Sequence, residues 1–229
     1  MPDKYGYDFE YDTKYCRPGS RVLKNKLGIT DEERLRSAES EITAMWLLRL
    51  KSEPVKGKFD FAHLCAIHRK MFSDIYTWAG KCRTVDISKG NFFCRSMYIG
   101  EYAENLFREL AEENWLIDAD KSIVPQRLAY YMSEINVLHP FREGNGRTQR
   151  LFIEYLGSVA GFHVDFSKTD SEEMVRASAD AFAKEYGRLY EMFDRICSRT
   201  REGAQERAVK FFFGARSEQL VLYKETNNK

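Results

Sequence analysis

Through most of this chain apolar side chains recur at spacings of three and four, with polar residues between them. Thr30-Asp31-Glu32-Glu33 has the form of a capping box opening a helix to about Lys51, with Leu35, Ala38, Ile42, Met45 and Leu48 on one face. Asp60 can cap a second helix carrying Phe61, Leu64, Ile67, Met71 and Ile75. A third fits Ile99 to Trp115, a further one starts near Ser171, and another covers roughly Glu185 to Cys197. Between them, Ser122 can cap a helix in which Leu128, Ala129, Met132, Ile135 and Leu138 recur. Pro140 disfavours a helical His139, so that helix is expected to end there. The next fits Arg147 to Val159, with Leu151, Phe152, Tyr155 and Leu156 on its apolar face and Gly161 just beyond its end. The pattern predicts a mainly α fold.

One segment breaks the helical period. Thr84 to Ile87 is rich in β-branched residues, Gly90-Asn91 is a turn signal, and Phe92-Phe93-Cys94 can return as a second strand. The two ends differ from the middle. Residues 1 to 20 are polar and tyrosine-rich with Pro18-Gly19, an irregular arm. Residues 198 to 229 are expected to be a C-terminal tail or the start of a linker or second domain, with Gln219 to Tyr223 resembling an unpaired strand. Residues 21 to 197 are then one domain.

Composition narrows the class. Lys+Arg 36 against Asp+Glu 35 gives no overall electrostatic pull towards nucleic acid or an anionic membrane. No run of 18 apolar residues occurs, and Met1-Pro2-Asp3-Lys4 lacks the basic-then-apolar order of a signal peptide. The expectation is a soluble protein made in a cytoplasm. Five cysteines, odd in number and without a C-x-x-C pair, argue against a disulfide framework or a zinc site. Four histidines suggest no separate metal cluster, and His68 is expected to pack as an ordinary helix side chain.

The chemistry concentrates in His139 to Arg150, which read His-Pro-Phe-Arg-Glu-Gly-Asn-Gly-Arg-Thr-Gln-Arg. Histidine titrates near neutral pH, so His139 can take a proton from an attacking hydroxyl. Glu143 can offer an oxygen to Mg²⁺, which keeps several waters and bridges to substrate phosphates. A Gly144-Asn145-Gly146 turn at a helix N-terminus lets backbone N–H groups approach phosphate oxygens, and the Asn145 amide can orient one of them. Arg147 and Arg150 can bind terminal phosphates in bidentate fashion. Each residue alone has an ordinary reading: a structural histidine, a solvated glutamate, a plain turn and two arginines facing water. Together they serve one chemistry, transfer of a phosphate-linked group.

This run resembles, at every specified position, the Fic signature His-Pro-Phe-x-(Asp/Glu)-Gly-Asn-Gly-Arg-x-x-Arg. The resemblance extends over about residues 10 to 197 and implies a compact helical bundle around a central helix-loop-helix. Fic domains use ATP to attach AMP to a target protein's hydroxyl. By that resemblance His139 is the general base for a Ser, Thr or Tyr hydroxyl, and Glu143 holds magnesium. Gly144, Asn145 and Gly146 form the anion hole, while Arg147 and Arg150 handle the β- and γ-phosphates. Doc-type kinases of a related branch have lysine where this chain has Gly146, so the glycine favours AMP transfer. Thr84, Val85, Asp86, Ile87, Phe92 and Phe93 would belong to the family's flap, a hairpin that clamps the target's backbone. Such an edge can pair with an extended peptide through main-chain hydrogen bonds; the ordinary alternative is a small surface hairpin.

Many Fic domains are restrained by a glutamate in a Ser/Thr-x-x-x-Glu-(Gly/Asn) motif that pairs with the second arginine, here Arg150. Ser198-Arg199-Thr200-Arg201-Glu202-Gly203 matches that pattern. A match this short has a sizeable chance rate, and it follows the last predicted core helix with almost no connection. A separate small antitoxin is the favoured expectation. The resemblance implies a protein of the bacterial cytoplasm, or an effector secreted into a host cell. Two other functions stay open: transfer from another donor, UMP or phosphocholine, and a non-catalytic target-binding module.

Overall fold

The computed structural model describes residues 14–89 and 91–214. Its helices are α1 (Glu32–Ser52), α2 (Phe61–Phe72), α3 (Ile99–Glu112), α4 (Val124–Leu138), α5 (Asn145–Val159), α6 (Ser171–Phe182), α7 (Gly187–Ile196) and α8 (Ala204–Phe213). Two antiparallel pairs of short strands accompany them. β1 (Ser88–Lys89) pairs with β2 (Asn91–Phe92), and β3 (Phe162–Val164) pairs with β4 (Cys197–Arg199). The mainly α expectation holds.

The backbone divides into two compact units, with boundaries inside α2, α3, α4 and α5. Among the described residues, one comprises 14–55, 64–89, 91–106 and 134–151 and carries the whole His139–Arg150 segment. Its core includes Leu35 and Leu50 of α1, Leu64, Ile67, Met71 and Phe72 of α2, and Ile135 and Leu138 of α4. Residues 14–20 of the predicted arm, with the three that follow them, contribute too. Cys16 bridges to Leu23, Tyr15 is buried edge-on against Trp78, and the Thr84 amide donates to the Tyr15 hydroxyl at 3.2 Å.

The other unit comprises, among the described residues, 56–63, 107–133 and 152–214. Its core gathers Phe59, Phe152, Phe193, Leu189 and Met192. β4 pairs with β3 at Val164↔Cys197, His163↔Ser198 and Phe162↔Arg199. Where the sequence predicts a tail, α8 follows, with Phe212 and Phe213 packing against Phe59. Gln205 anchors it by donating to the carbonyls of Ile117 and Val159. The predicted strand at Gln219–Tyr223 lies outside the described residues.

Three local expectations need correction. The N-cap of α1 is Asp31, whose carboxylate accepts from Arg34 N–H at 2.8 Å, not Thr30. Ser122 does not cap α4; its amide and hydroxyl both donate to Asp120, at 2.8 Å each, in a turn before the helix. The third correction bears on function. Met45 and Leu48, expected in the core, are 71% and 73% exposed, and α1 instead buries Leu35, Glu39, Thr43 and Leu50. A buried glutamate on that face demands a cationic partner.

Candidate active site

α4 delivers His139. The helix ends at Leu138, and His139 adopts φ 43°, a left-handed conformation that only a held backbone retains outside glycine. Three hydrogen bonds hold it. His139 N–H closes on the Ile135 carbonyl at 3.0 Å, Arg83 Nε donates to the His139 carbonyl at 2.9 Å, and Arg83 N–H donates to the Pro140 carbonyl at 2.8 Å. The ring's Nδ1 lies 3.2 Å from the Asn136 carbonyl, which assigns the proton to Nδ1 and makes Nε2 the basic nitrogen.

Arg83 is the hub between this turn and the hairpin. It is almost fully buried and also donates to the carbonyls of Val85 and Cys94, while Cys94 N–H reaches the Val137 carbonyl at 2.9 Å. The ladder itself is shorter than predicted and shifted along the chain: Ser88↔Phe92 and Lys89↔Asn91 pair, whereas Thr84 to Ile87 leads into the hairpin without being a strand. Just past β2, the Phe93 ring stacks on His139 with centroids 3.7 Å apart. The hairpin base therefore touches the catalytic candidate directly.

The loop that follows turns onto the N-terminus of α5. Gly144 has φ 81°, and a Cβ there would lie 2.2 Å from Cζ of Phe72, so this position requires glycine twice over. The first helical bond of α5 is Thr148 N–H to the Gly144 carbonyl, so the N–H groups of Asn145, Gly146 and Arg147 precede the helical ladder. A Cβ on Gly146 would sit 3.3 Å from Nη1 of Arg150, so the glycine keeps the approach to that guanidinium open. Asn145 departs from the expectation. Its Oδ1 accepts from Phe141 N–H at 2.9 Å and its Nδ2 donates to the Phe141 carbonyl at 2.7 Å. The amide staples the loop, and what Asn145 can present to an anion is its backbone N–H.

Glu143 Oε1 accepts from Gly144 N–H at 2.7 Å and lies 3.4 Å from Nη2 of Arg147. One carboxylate beside an anion-binding turn suits Mg²⁺, whose remaining ligands are commonly waters and phosphate oxygens. Arg147 is held on several sides. Nη1 donates to Thr43 Oγ1 at 2.9 Å, Nη2 donates to Glu39, and its Cζ sits 4.9 Å from the centre of the Phe72 ring. Burial disfavours its charge, but Glu39 and then Glu143 outweigh that, and its pKa lies above the ordinary arginine value.

Four residues of this site carry no signal of it in the sequence: Glu39, Thr43, His68 and Tyr76, whose hydroxyl donates to Glu39 Oε2. His68 accepts at Nδ1 from Gly80 N–H at 2.8 Å and donates from Nε2 to the Glu143 carbonyl at 2.9 Å. It lies between the rings of Phe72 and Phe141, and burial pushes its pKa down to about 3. Far from an ordinary helix side chain, it is a neutral brace under the loop. The restraint candidates lie in the other unit, Ser198 on β4 opposite His163 and Glu202 exposed in the turn before α8.

A profile of the Fic/DOC family matches residues 58–156. The probable protein adenylyltransferase Fic of Salmonella typhimurium is 38% identical over 204 residues, which span 88% of this chain and 99% of that protein. The chain belongs to the Fic/DOC family. The protein adenylyltransferase VbhT of Bartonella schoenbuchensis is 44% identical over 169 residues, which span 73% of this chain but only 35% of VbhT. Among solved structures, the BepC effector of Bartonella tribocorum with bound AMPPNP superposes with a TM-score of 0.77 at 27% identity, covering 83% of this chain and 99% of that one. A Fic domain from Bartonella quintana with bound ADP gives a TM-score of 0.78 at 30% identity, over 83% of this chain and 97% of that one. VbhT carries the name protein adenylyltransferase and the Salmonella typhimurium and Escherichia coli relatives the name probable protein adenylyltransferase, and this Fic chain is an enzyme of the nucleotidyltransferase class. Among the described residues, no helix is long and apolar enough to cross a membrane.

Proposed function

We propose that this chain transfers AMP from ATP to a Ser, Thr or Tyr hydroxyl of a target protein and releases pyrophosphate. The observation that carries the reading is the juxtaposition within residues 139–150. A histidine with a basic Nε2, a glycine turn feeding the α5 N-terminus, and two arginines on that helix's first turns stand together. Nε2 of His139 takes the proton from the target hydroxyl as its oxygen attacks the α-phosphorus. The bond from that phosphorus to the bridging oxygen breaks, and pyrophosphate leaves with its charge met by Arg147 and Arg150. The N–H groups at the α5 N-terminus receive the α-phosphate oxygens. Mg²⁺, held by Glu143, would neutralise phosphate charge.

The flap supports a protein as the acceptor. An extended target segment can add to the β1–β2 hairpin through main-chain bonds, and the stack of Phe93 on His139 links that hairpin to the base. Gly146 supports AMP transfer over phosphoryl transfer, because the lysine of the kinase branch is missing there. Restraint is proposed to come from a separate inhibitory protein that offers a carboxylate to Arg150, since Glu202 is solvent-exposed. The protein would act in the bacterial cytoplasm or, like the Bartonella effectors it is similar to, after secretion.

Replacement of His139 tests the reading. His139→Ala should abolish AMP transfer while calorimetry still detects Mg-ATP binding, because the base acts on the target and not on the nucleotide. Appreciable residual transfer by the variant would overturn the role.

A further inference from the structure

A buried carboxylate inside a phosphate-binding site is an unexpected guest. Glu39 projects from α1, 8% exposed, and its Oε1 accepts from Nη2 of Arg147, one of the two arginines assigned to the leaving phosphates. A carboxylate so placed could act in either of two ways. It could compete with the nucleotide for the guanidinium, or it could fix the guanidinium in the orientation the nucleotide needs.

The geometry points to the second: we propose that Glu39 is a positioning residue that, through Thr43 and Tyr76, locks the Arg147 guanidinium for phosphate binding. The proposal rests on the assignment of Arg147 to the nucleotide phosphates. A competitor must be able to leave, and Glu39 is held from both ends. Its Oε2 accepts from the Tyr76 hydroxyl, and the Tyr76 ring is itself stacked on Trp78 with centroids 4.3 Å apart. Tyr76 is buried, as is Thr43, which accepts from Nη1 of Arg147 at 2.9 Å and donates to the Glu39 carbonyl at 2.7 Å. One face of α1 thus offers acceptors to both terminal nitrogens of the guanidinium, and the Phe72 ring supports its plane. A planar fork fixed in this way loses little freedom when phosphate oxygens dock on its remaining donors.

Reach and charge can be separated. Glu39→Gln keeps the reach: its amide oxygen accepts from Arg147 while its NH₂ donates to the Tyr76 oxygen. Glu39→Asp keeps the charge but is one methylene short, so it cannot span both partners. Turnover and KM for ATP would be measured for both, with thermal unfolding as the control on folding. Positioning predicts Gln within roughly fivefold of wild type and Asp reduced by roughly 10- to 150-fold in kcat/KM, the worth of a charge-assisted contact. It also predicts that the Asp defect disappears when Arg147 is already Ala. A faster Glu39→Asp, or Glu39→Gln below Asp, would overturn the proposal in favour of competition or of charge balance. If Arg147→Ala alone leaves KM and kcat unchanged, the assignment of Arg147 has failed instead. If Arg147→Ala is impaired while a well-folded Glu39→Asp is not, only the positioning role has failed.

Discussion

Mild acid should loosen this protein through His68, in a range where most carboxylates keep their charge. The ring is wedged between Phe72 and Phe141, with centroids 4.6 and 3.9 Å away, and both nitrogens are committed. A proton added at Nδ1 would point at the Gly80 N–H that now donates to it at 2.8 Å. Burial is the main cause of the depressed pKa; the Glu143 carbonyl opposes it and the charge on Arg147 adds to it, with the result at about 3 against 6.5 for a free histidine. Between those values the unfolded chain binds a proton that the folded chain refuses. The His68 contribution is therefore intact above pH 6.5 and is lost progressively as pH falls towards 3. The slope is about 1.4 kcal/mol per pH unit, so moving from about pH 7.5 to 5 should remove roughly 2 kcal/mol. Urea unfolding across that range, for wild type and His68→Gln, isolates the effect. The glutamine amide can still donate to the Glu143 carbonyl but cannot titrate. It leaves the Gly80 N–H without its acceptor, so the variant should start about 1–3 kcal/mol less stable and lose about 2 kcal/mol less on acidification. Parallel slopes for the two proteins would refute the argument.

Glu143→Ala should weaken Mg-dependent ATP binding by roughly tenfold or more as well as slow turnover; unchanged calorimetric affinity in Mg²⁺ would remove Glu143 from the metal. Gly144→Ala forces a side chain into φ 81° and onto the Phe72 ring, and should cost about 3 kcal/mol or more, so a melting temperature equal to wild type would contradict the loop geometry. Glu202→Gly should alter the activity of the isolated chain by less than about threefold, whereas a gain of roughly tenfold or more would identify Glu202 as an internal restraint.

The helices from α2 to α7 are legible because their faces follow a simple period, and Pro140 and Gly161 mark helix ends that the structure keeps at Leu138 and Val159, whereas α8 stands where the sequence predicts only a tail. The motif was legible as consecutive residues. Its supports were not. Glu39 lies 108 positions before Arg147, and on α1 the apolar period runs through Met45 and Leu48, which face solvent. The buried face was instead chosen by an ion pair, which leaves no periodic trace. His68 looked like one more helical side chain because both its partners are backbone groups, Gly80 N–H and the Glu143 carbonyl. The residue type of Asn145 suggests an amide that orients a phosphate oxygen, yet the amide turns inward to the backbone of Phe141. In the hairpin, β-branched composition points to Thr84–Ile87, but the ladder forms at Ser88–Lys89 and Asn91–Phe92.

Whether AMP or a lone phosphate moves to a protein can be read from the label that is transferred. Incubating the purified chain and Mg²⁺ with protein extract and ATP, labelled in parallel at the α- or the γ-phosphate, tests it most directly. α-Label should become covalently attached to protein, γ-label should not, and His139→Ala should abolish the transfer. Transfer of γ-label in place of α-label would make the chain a kinase and contradict AMP transfer.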